Sequence, residues 1–281
     1  MKIKKNKHIS KDKVNKLVIV THVNPDLDSC LAIWLIKRFV FPNKEIIIKF
    51  VSMNEKIPPS EVKNGYEVIY VDTGHGKYNH HNTSKYVCAA SLVMKDFTLE
   101  KNEAIKNMVN YALIIDHGKN LNKEVSDFDL INVIEGLNNI YKQNPEMVVE
   151  KCIYFLDGIY YSLKQKIVAE KELEKAITFK TKWGKGIGIT TSNPKVRYLA
   201  HKKGYKVFIN VDPIYKYRSF LSPGNSDVDY SELYEKIKKI EPNSEWFLHS
   251  SKQLLLCGSK KAPNKKLSNL SLQQMINLLK E

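Results

Sequence analysis

Apolar and polar positions alternate along the first half of the chain in two rhythms, short β-branched runs and longer stretches with helical spacing. The short runs predict strands at Lys16 to His22, Glu45 to Val51 and Tyr66 to Val71. The longer stretches predict helices at Ser29 to Phe41, Thr83 to Phe97 and Leu99 to Leu113. Because the strands are almost continuously apolar, we expect an α/β fold with a mostly parallel sheet and helices on both faces. Sites in such sheets form at the carboxyl ends of the strands.

The middle of the chain carries a long helical pattern over residues 145–182. Its first half is apolar and aromatic, and its second half places Lys and Glu three or four residues apart. Pro145 suits the first turn of a helix, and the sequence WGKG from Trp183 ends the pattern. We interpret this segment as a helical linker between two domains, with a long core helix as the alternative for its first half.

The second half of the chain repeats the alternation on a smaller scale. Strands are predicted at Gly186 to Ser192, at Tyr205 to Val211 and as a pair within WFLHSSKQLLLC, and helices within PKVRYLAHKKG, YSELYEKIKKI and SLQQMINLLK. The predicted organisation is a basic tail over 1–14, an α/β domain over 15–144, the linker over 145–182 and a smaller mixed α/β domain over 183–281.

The composition excludes several classes of protein. The 281 residues are 43% hydrophobic, which is enough to form a core and excludes a disordered chain. No apolar run reaches the roughly 18 residues of a membrane-spanning helix, and no signal-peptide stretch follows the basic N-terminus. The cysteines are scattered without a CxxC pair, which argues against a disulfide scaffold or a zinc ribbon. We therefore expect a protein of the reduced cytoplasm with no membrane partner.

The charge of the chain has two interpretations. The formal net charge is +15, and only three of the 45 basic residues are arginine. A lysine excess of this kind is typical of a solvated surface. The same surface also attracts partners that carry phosphate groups. The charge by itself therefore leaves nucleic-acid binding open.

The loop after the first strand, THVNPDLDSC, concentrates metal-binding residue types. His22, Asp26 and Asp28 fall within seven residues, just before a predicted helix. Carboxylates and an imidazole suit Mn²⁺ or Mg²⁺. Helix capping is the alternative, with Asp28 or Ser29 as N-cap and Asp26 favourable to the helix dipole. Capping explains one acid, but not an imidazole and two acids together.

Two further segments extend this set. In VDTGHGKYNHHNTS, Asp72 follows an apolar strand, and His80 and His81 follow Asp72; an ordinary polar loop is the alternative. Adjacent residues of an extended segment point to opposite sides, so we expect one histidine to bind metal and the other to face substrate. In ALIIDHG, Asp116 ends an apolar run that we interpret as a strand; alone, it is typical of a turn or cap residue.

Together these segments supply four carboxylates and three imidazoles, which we expect at strand ends of one domain: His22, Asp26, Asp28, Asp72, His80, His81 and Asp116. This is the residue inventory for two divalent ions about 3.5–4 Å apart, joined by a bridging carboxylate and a bridging water. Such a pair assists in-line displacement at phosphorus.

These motifs resemble those of the DHH phosphoesterase superfamily, which includes family II inorganic pyrophosphatases, nanoRNases and the RecJ exonucleases. In that superfamily a His-x3-Asp-x-Asp loop, a second strand-end Asp, a DHH triplet and a final Asp hold two Mn²⁺ ions. Here Asp72 and the His pair are only eight residues apart. This compact spacing, followed by AASLV and an ID-x-G turn, resembles the melanocyte-proliferating-gene (Myg) family of 3′–5′ RNA exonucleases.

The resemblance implies a role for each matching residue. One metal would be held by His22, Asp26 and Asp72, and the other by Asp28, Asp72, His80 and Asp116. Asp72 would bridge the two ions, and His81 would contact the scissile phosphate, so that Asp72 and His81 are the catalytic residues. The triplet reads Asn79-His80-His81 instead of Asp-His-His. Asn79 would lie behind the metal-bound histidine without supplying a charge.

The second half resembles the Myg family more loosely, in YRSFLSPGN, WFLHSS and LLLCGS. The resemblance implies a substrate-binding domain that uses Arg218, His249, Ser251 and Gly258. Arginine offers phosphate a bidentate fork, and we expect Arg218 in a Gly/Pro loop. A surface salt bridge for Arg218 and a strand end at Gly258 are the alternatives.

The expected function is phosphodiester hydrolysis with two divalent metal ions, Mn²⁺ in first place and Mg²⁺ in second. The expected substrate is RNA or a short oligonucleotide, attacked from an end, and a homodimer is a candidate assembly. A phosphoesterase or pyrophosphatase acting on a small phosphorylated molecule is the first alternative. A non-catalytic nucleic-acid-binding protein on a degenerate hydrolase scaffold is the second, with Asn79 as its main support.

Overall fold

The computed structural model describes residues 16–53, 55–58, 60, 62, 65–74, 76–118, 126–263 and 266–280. The predicted basic tail over 1–14 lies outside the described residues, and so does His75. The chain divides into two compact units, unit 1 over residues 1–162 and unit 2 over residues 163–281. The division falls within a long helix, which contributes its two halves to different units.

Within its described residues, unit 1 is built on a three-stranded parallel sheet. The strands are β1 (Lys16–His22), β2 (Glu45–Val51) and β3 (Tyr66–Tyr70), in the order β2-β1-β3. Lys16 pairs with Glu45 on one side and with Tyr66 on the other, so all carboxyl ends lie at one edge of the sheet. The predicted parallel α/β arrangement is confirmed.

Helices follow the strands of unit 1. They are α1 (Leu27–Leu35), α2 (Ala89–Asp96), α3 (Glu103–Asp116), α4 (Leu130–Ile140) and α5 (Pro145–Leu173), the last of which continues into unit 2. A π-helical turn over Ile36–Val40 extends α1, and a 3₁₀ turn over Leu99–Lys101 precedes α3.

Helix α1 forms the centre of unit 1. All of its residues, from Leu27 to Leu35, are buried, and it packs against α2, α3 and α4. A helix that is apolar around most of its circumference needs cover on every side. Asp157 of α5 accepts hydrogen bonds from Trp34 Nε1, in the last turn of α1, at 2.8 Å and from Arg38 Nη2, in the π-helical turn that follows, at 2.6 Å. These bonds fix α1 against α5.

The described part of unit 2 contains a six-stranded mixed sheet. Its strands are β4 (Ile177–Thr181), β5 (Gly184–Thr190), β6 (Val207–Val211), β7 (Arg218–Leu221), β8 (Trp246–Leu248) and β9 (Leu254–Cys257). The order is β4-β5-β6-β7-β9-β8, and β5 and β6 form its parallel pair. The helices are α6 (Lys195–Lys202), α7 (Ser231–Ile240) and α8 (Leu272–Asn277).

Helices cover both faces of the unit 2 sheet. On one face Phe208 packs with Leu199 of α6, and on the other Ile209 packs with Ile237 of α7 and Ile276 of α8. Neighbouring residues of β6 therefore serve opposite cores, as the period of two requires. The predicted smaller mixed α/β arrangement of the second half is confirmed.

Two predicted helical segments are wrong. Residues 83–88 are not helical, and α2 begins only at Ala89, where Ser91 Oγ accepts the backbone N–H of Cys88 at 2.9 Å. Residues 177–181, assigned to the helical linker, form strand β4, because alternate residues Phe179 and Thr181 are buried in unit 2. Packing overrides the helical preference of the Lys/Glu-rich sequence that precedes them.

Other differences concern elements that carry candidate site residues. Asp116 is the last residue of helix α3 and not the end of a strand, because Ile105, Val109 and Ala112 recur at helical spacing and are buried. Arg218 begins strand β7 and does not lie in a Gly/Pro loop. Neither β7 nor α4 has a counterpart among the predicted elements.

Two observations bear on the environment of the protein. Within the described residues, no helix combines the length and the apolar character that crossing a membrane requires. The cysteines at positions 30, 88, 152 and 257 are all buried and carry free thiols.

Candidate metal centre

The carboxyl ends of β1 and β3 begin the site. His22 is the last residue of β1, and Asp72 lies two residues after β3. Because the strands are adjacent and parallel, His22 Nε2 lies 3.2 Å from Asp72 Oδ2. Asp72 is buried and adopts a left-handed backbone conformation, with φ of 54°. Aspartate is one of the few residues other than glycine that adopt this conformation readily, so it suits this tight turn after the strand.

The next two acids come from the start of α1. Asp26 is the N-cap, since Asp26 Oδ1 accepts the N–H of Ser29 at 2.9 Å and Ser29 Oγ accepts the N–H of Asp26 at 2.9 Å. Asp28 lies in the first turn and is buried; its Oδ2 and Oδ1 accept the N–H groups of Ala89 at 2.6 Å and Ala90 at 2.9 Å. The carboxylate of Asp28 thus sits at the N-terminus of α2, where the helix dipole favours it.

The adjacent histidines converge on one carboxylate oxygen. His80 Nε2 and His81 Nε2 each lie 3.1 Å from Asp72 Oδ1, and the two rings are 4.3 Å apart. The prediction that they point to opposite sides is therefore wrong. The segment is a turn and not an extended strand, as the bond from Thr83 N to His80 O at 3.1 Å shows. His80 is buried, whereas the side chain of His81 is 37% exposed.

Asp116 completes the cluster from the end of α3. Its Oδ1 lies 3.6 Å from His80 Nε2, which lies at the same distance from Asp28 Oδ2. Each residue below offers a ligand atom, and within each group these atoms lie within 4.8 Å of one another. The groups that could hold a metal ion are His22–Asp26–Asp72, Asp28–His80–Asp116 and Asp72–His80–His81. The structure thus brings the six predicted metal ligands together with His81, which was predicted to contact phosphate, and Asp72 and His80 are each shared by two groups.

The pKa values of the buried carboxylates Asp28 and Asp72 shift in opposite directions. Burial, together with the charges of Asp72 and Asp26, raises the pKa of Asp28 to about 7. Burial also opposes ionisation of Asp72, but its contacts with His22 and His80 outweigh burial and lower the pKa. One buried acid is therefore held ionised while its neighbour is pushed toward the protonated form.

The histidines hold protons more tightly than free imidazole. Contact with Asp72 raises the pKa of His80 to about 9, against the opposing effect of burial. Burial likewise lowers the pKa of His22, but Asp72 and Asp26 more than compensate, and the net shift is upward. A bound cation would replace these protons, because metal ligands must be deprotonated.

The residues present fit a divalent cation. Asp72 Oδ1 and His80 Nε2 are both buried, and neither has a hydrogen-bond partner in the described part of the chain, although they lie 3.1 Å apart. Their separation is short, but their geometry is not that of a hydrogen bond. Two unsatisfied buried atoms that face each other are suited to bind one cation together. Carboxylate oxygens and imidazoles are ligands that divalent cations accept.

Asn79 binds the backbone of its own loop and not the imidazole ring of a neighbouring histidine. Its Nδ2 donates to the carbonyl of Gly74, and its Oδ1 accepts the backbone N–H of His81 at 3.1 Å. Both bonds go to main-chain groups that shape the turn. The side chain thus fixes the backbone from which His80 and His81 project.

Sequence reasoning overlooked His117. Its Nδ1 lies 3.2 Å from Asp116 Oδ2 and 3.1 Å from the carbonyl of Leu113, and its ring packs edge-on against Tyr86 at 4.4 Å. His117 therefore holds the carboxylate of Asp116 from the outer side. The signal for it was its position directly after Asp116 in the ALIIDHG segment.

The predicted substrate residues of unit 2 fall into two separate places. Arg218 pairs with Cys257 at one end of the β7–β9 ladder, next to Gly258. Its Nε donates to the carbonyl of Leu270 at 3.1 Å, and its Nη1 donates to the carbonyl of Lys216. The guanidinium thus binds two main-chain carbonyls. Gly258 has a φ of 79°, and a Cβ there would lie 2.4 Å from the ring of Tyr217.

His249 and Ser251 lie at the other end of the ladder, in the turn between β8 and β9. Ser251 Oγ lies 2.9 Å from His249 Nδ1, which also accepts the N–H of Ser251. Both residues line an open cleft of about 510 Å³, and the arginine that lines this cleft is Arg197 of α6. The structure therefore does not bring Arg218 and Gly258 together with His249 and Ser251.

Fold and cluster together define a two-unit α/β protein with a candidate metal centre in unit 1. Comparison with family models gives the family: residues 19–163, just over half of the chain, match the model described as "ChrB, C-terminal domain". The chain belongs to this family. The matched segment contains all seven candidate ligands. This family is not the DHH superfamily that the motif spacing resembles, and the match gives no support to the Myg relation.

Comparison with curated protein sequences gave no match. Among solved structures, the crystal structure of an exopolyphosphatase-related protein from Bacteroides fragilis aligns over 95% of this chain and 91% of its own, with 12% identity and a TM-score of 0.27. A TM-score of this size does not establish a shared fold.

Proposed function

We propose that the chain is a metal-dependent phosphodiester hydrolase that acts on RNA or short oligonucleotides. The observation that carries the proposal is the sharing of Asp72 between neighbouring ligand groups at the carboxyl edge of the parallel sheet. A shared carboxylate between two groups of oxygen and nitrogen ligands is the arrangement that two-metal phosphoryl chemistry needs. The motif spacing that resembles the DHH and Myg families agrees with this proposal.

Two groups of residues would hold the ions. His22, Asp26 and Asp72 would hold one divalent ion, and Asp28, His80 and Asp116 the other. Asp72 faces both groups, because its Oδ2 lies 3.2 Å from His22 Nε2 and its Oδ1 lies 3.1 Å from His80 Nε2. When bound, such ions polarise phosphoryl oxygens and lower the pKa of a coordinated water. Mn²⁺ is proposed first, because it accepts imidazole together with carboxylate ligands.

The protein residues contribute orientation and charge. The carboxylate of Asp28 is fixed by the N–H groups of Ala89 and Ala90, and it cannot turn away from the cluster without losing both bonds. His81 is the most exposed histidine of the cluster, and its imidazole is available to a phosphate at the surface. There it would stabilise the negative charge that develops on the phosphoryl oxygens during displacement.

The net charge and the motif resemblance together support the assignment of RNA as substrate. A formal net charge of +15 attracts polyanions, and a chain of phosphodiesters gains more from it than a single phosphate does. The four free, buried thiols agree with a reduced cytoplasmic setting for such an enzyme. Small phosphorylated molecules are the alternative substrates, and the assay must distinguish them from RNA.

The test is hydrolysis of end-labelled RNA by the full chain with and without Mn²⁺, beside matched DNA, a dinucleotide and pyrophosphate. We expect Mn²⁺-dependent release of nucleotides from RNA. Asp72→Asn should lower the rate at least about a hundredfold, because even outer residues of metal sites cost 10–100-fold. Asp227→Asn, an exposed acid of unit 2, is the matched control and should retain full activity.

Several results would reject the proposal. Full activity in Asp72→Asn would exclude the shared carboxylate from the chemistry. Phosphate release from pyrophosphate without cleavage of RNA would replace the substrate and leave the metal centre in place. Salt-sensitive RNA binding without turnover, and no bound metal by elemental analysis, would identify a binding protein instead of a hydrolase.

A further inference from the structure

A cavity of about 360 Å³ borders the metal centre in unit 1. One wall is the loop that leads into α1, with Asn24, Asp26 and Leu27, and the other is helix α4. The residues that α4 contributes are Ile131, Ile134, Glu135, Asn138 and Asn139. Because Asp26 belongs both to this cavity and to the His22–Asp26–Asp72 group, a ligand seated here lies directly beside the metal centre.

The charge of the described cavity lining disfavours phosphate as a ligand. The chain carries 45 Lys and Arg residues against 30 Asp and Glu residues. Even so, the described lining includes no lysine or arginine, and it includes the carboxylates of Asp26 and Glu135. An anion would be repelled at this place. The cavity instead favours a neutral or cationic group that donates hydrogen bonds.

The asparagines of α4 present acceptors to this cavity. Asn138 Nδ2 donates to the carbonyl of Pro25 at 2.9 Å, and Asn139 Nδ2 donates to the carbonyl of Glu135 at 3.2 Å. Each amide therefore uses one of its two N–H donors within the protein, and its Oδ1 remains an acceptor. Among the described residues, the carboxylate of Glu135 has no ion-pair partner. Acceptors thus dominate the polar part of the lining.

The apolar part of the lining suits a flat ring. Leu27 and Ile134 are buried, and together with Ile131 they give the cavity a hydrophobic wall. Ligand sites usually combine such a wall with a few polar groups that fix orientation. A heterocycle with several N–H donors and no charge satisfies both parts of the lining.

From these contacts we infer that the cavity binds a guanine base, with its N1–H and N2–H groups donating to the carboxylate of Glu135. Guanine presents two adjacent N–H donors on one edge, which a carboxylate can accept together. Adenine and cytosine offer a single amino group on that edge, and the carbonyl oxygens of uracil would be repelled by Glu135. The use of the cavity as the base site of a substrate rests on the proposed hydrolase function, whereas its binding of guanine does not.

Equilibrium binding of uncharged nucleosides to the full chain tests this inference without any catalysis. Guanosine should bind about tenfold more tightly than adenosine, cytidine or uridine, since a good bidentate pair discriminates between bases by about five- to a hundredfold. Glu135→Gln and Glu135→Ala should remove the preference. Glu100→Gln changes an exposed acid of unit 1 outside the cavity and should preserve it. Glu135 is itself exposed on α4, so its substitution leaves the core intact.

The outcomes separate this inference from the proposed function. If the Asp72→Asn variant no longer cleaves RNA but still binds guanosine, the cavity binds guanine and the metal centre carries out the hydrolysis. If guanosine binds and no phosphoester is cleaved by the wild-type chain, the inference holds and the proposed function fails. Equal affinity for all four nucleosides overturns the inference. Binding of Mg²⁺ or a polyamine that Glu135→Gln abolishes, without nucleoside binding, identifies a cation site instead.

Discussion

Folding brings the candidate site residues of unit 1 together and leaves those of unit 2 apart. In unit 1, acids and histidines from three segments converge until His80 Nε2 lies within 3.6 Å of three carboxylates. In unit 2, Arg218 is bound by main-chain carbonyls at one end of a ladder, and His249 lies at the other end. The carboxyl ends of adjacent parallel strands lie at one edge of a sheet, so the residues that follow them come close together. Residues at the two ends of an antiparallel ladder lie at opposite edges and stay apart.

The largest expected effect compares one histidine from each unit. His80→Asn removes a residue that two ligand groups share, and it should weaken Mn²⁺ binding at least about a hundredfold, measured by isothermal titration. His249→Asn is the matched change in unit 2 and should leave Mn²⁺ affinity unchanged. Equal affinities in the two variants would show that the unit 1 cluster is an ion-pair network with no metal function.

The second effect is a pH dependence of opposite sign in the two units, measured by thermal unfolding in the presence of a chelator. In unit 1 the pKa of His80 is raised to about 9, so its stabilising contribution is complete below pH 6.5 and is lost as pH rises through 9. The raised pKa of Asp28, about 7, also makes folding less favourable as pH rises from 3.8 to 7. The metal-free unit 1 should therefore unfold at lower temperature at pH 9 than at pH 6.

In unit 2 burial lowers the pKa of His201. A base with a lowered pKa destabilises the fold as pH falls below its ordinary value of 6.5, so unit 2 should lose stability toward acid. Saturating Mn²⁺ should remove or reverse the slope of unit 1 only. If the metal-free unit 1 gains stability between pH 6 and 9, the pKa values of His80 and Asp28 are not raised in the folded protein.

The smallest effect concerns the loop that carries the histidine pair. Asn79→Asp loses the bond from Nδ2 to the carbonyl of Gly74 and places a carboxylate against that oxygen. We expect a loss of about 1 kcal/mol in the free energy of unfolding, measured with urea, because one hydrogen bond of this kind contributes that amount. Metal affinity should change much less than in His80→Asn. A tenfold gain in Mn²⁺ affinity would instead show that a charge at this position reaches the metal-bound imidazole.

The sequence predicted the residues of the cluster better than the elements that hold them. His22 and Asp72 could be placed because apolar runs end at them and parallel strands share an edge. The helix predicted at Leu99 to Leu113 corresponds to α3, but α3 continues to Asp116, which the prediction places at the end of a strand. A short apolar run such as ALII has no visible period of its own and does not show that the helix continues through it. The convergence of His80 and His81 depends on a turn that residue alternation does not describe.

The parts of unit 2 that escaped prediction depend on packing. Strand β7 has four residues and too little pattern to be recognised, and its register with β9 decides where Arg218 lies. Strand β4 follows a Lys/Glu-rich helix without a break in composition, and only burial of Phe179 distinguishes it. Helix α4 contains Gly136 and several asparagines, which weaken its helical signal. Long-range contacts, absent from local pattern, determine these elements.

Asp26 takes part in both the folding and the chemistry of unit 1. Its Oδ1 caps the fully buried helix α1, and the same side chain belongs to a ligand group and to the cavity wall. A random substitution here damages folding and chemistry at once, and a screen for either property would reject it. Selection for stability and selection for activity therefore act on the same carboxylate. A substitution of Asp26 that is chosen to improve stability will therefore also change the site, and a substitution that is chosen to improve activity will also change stability.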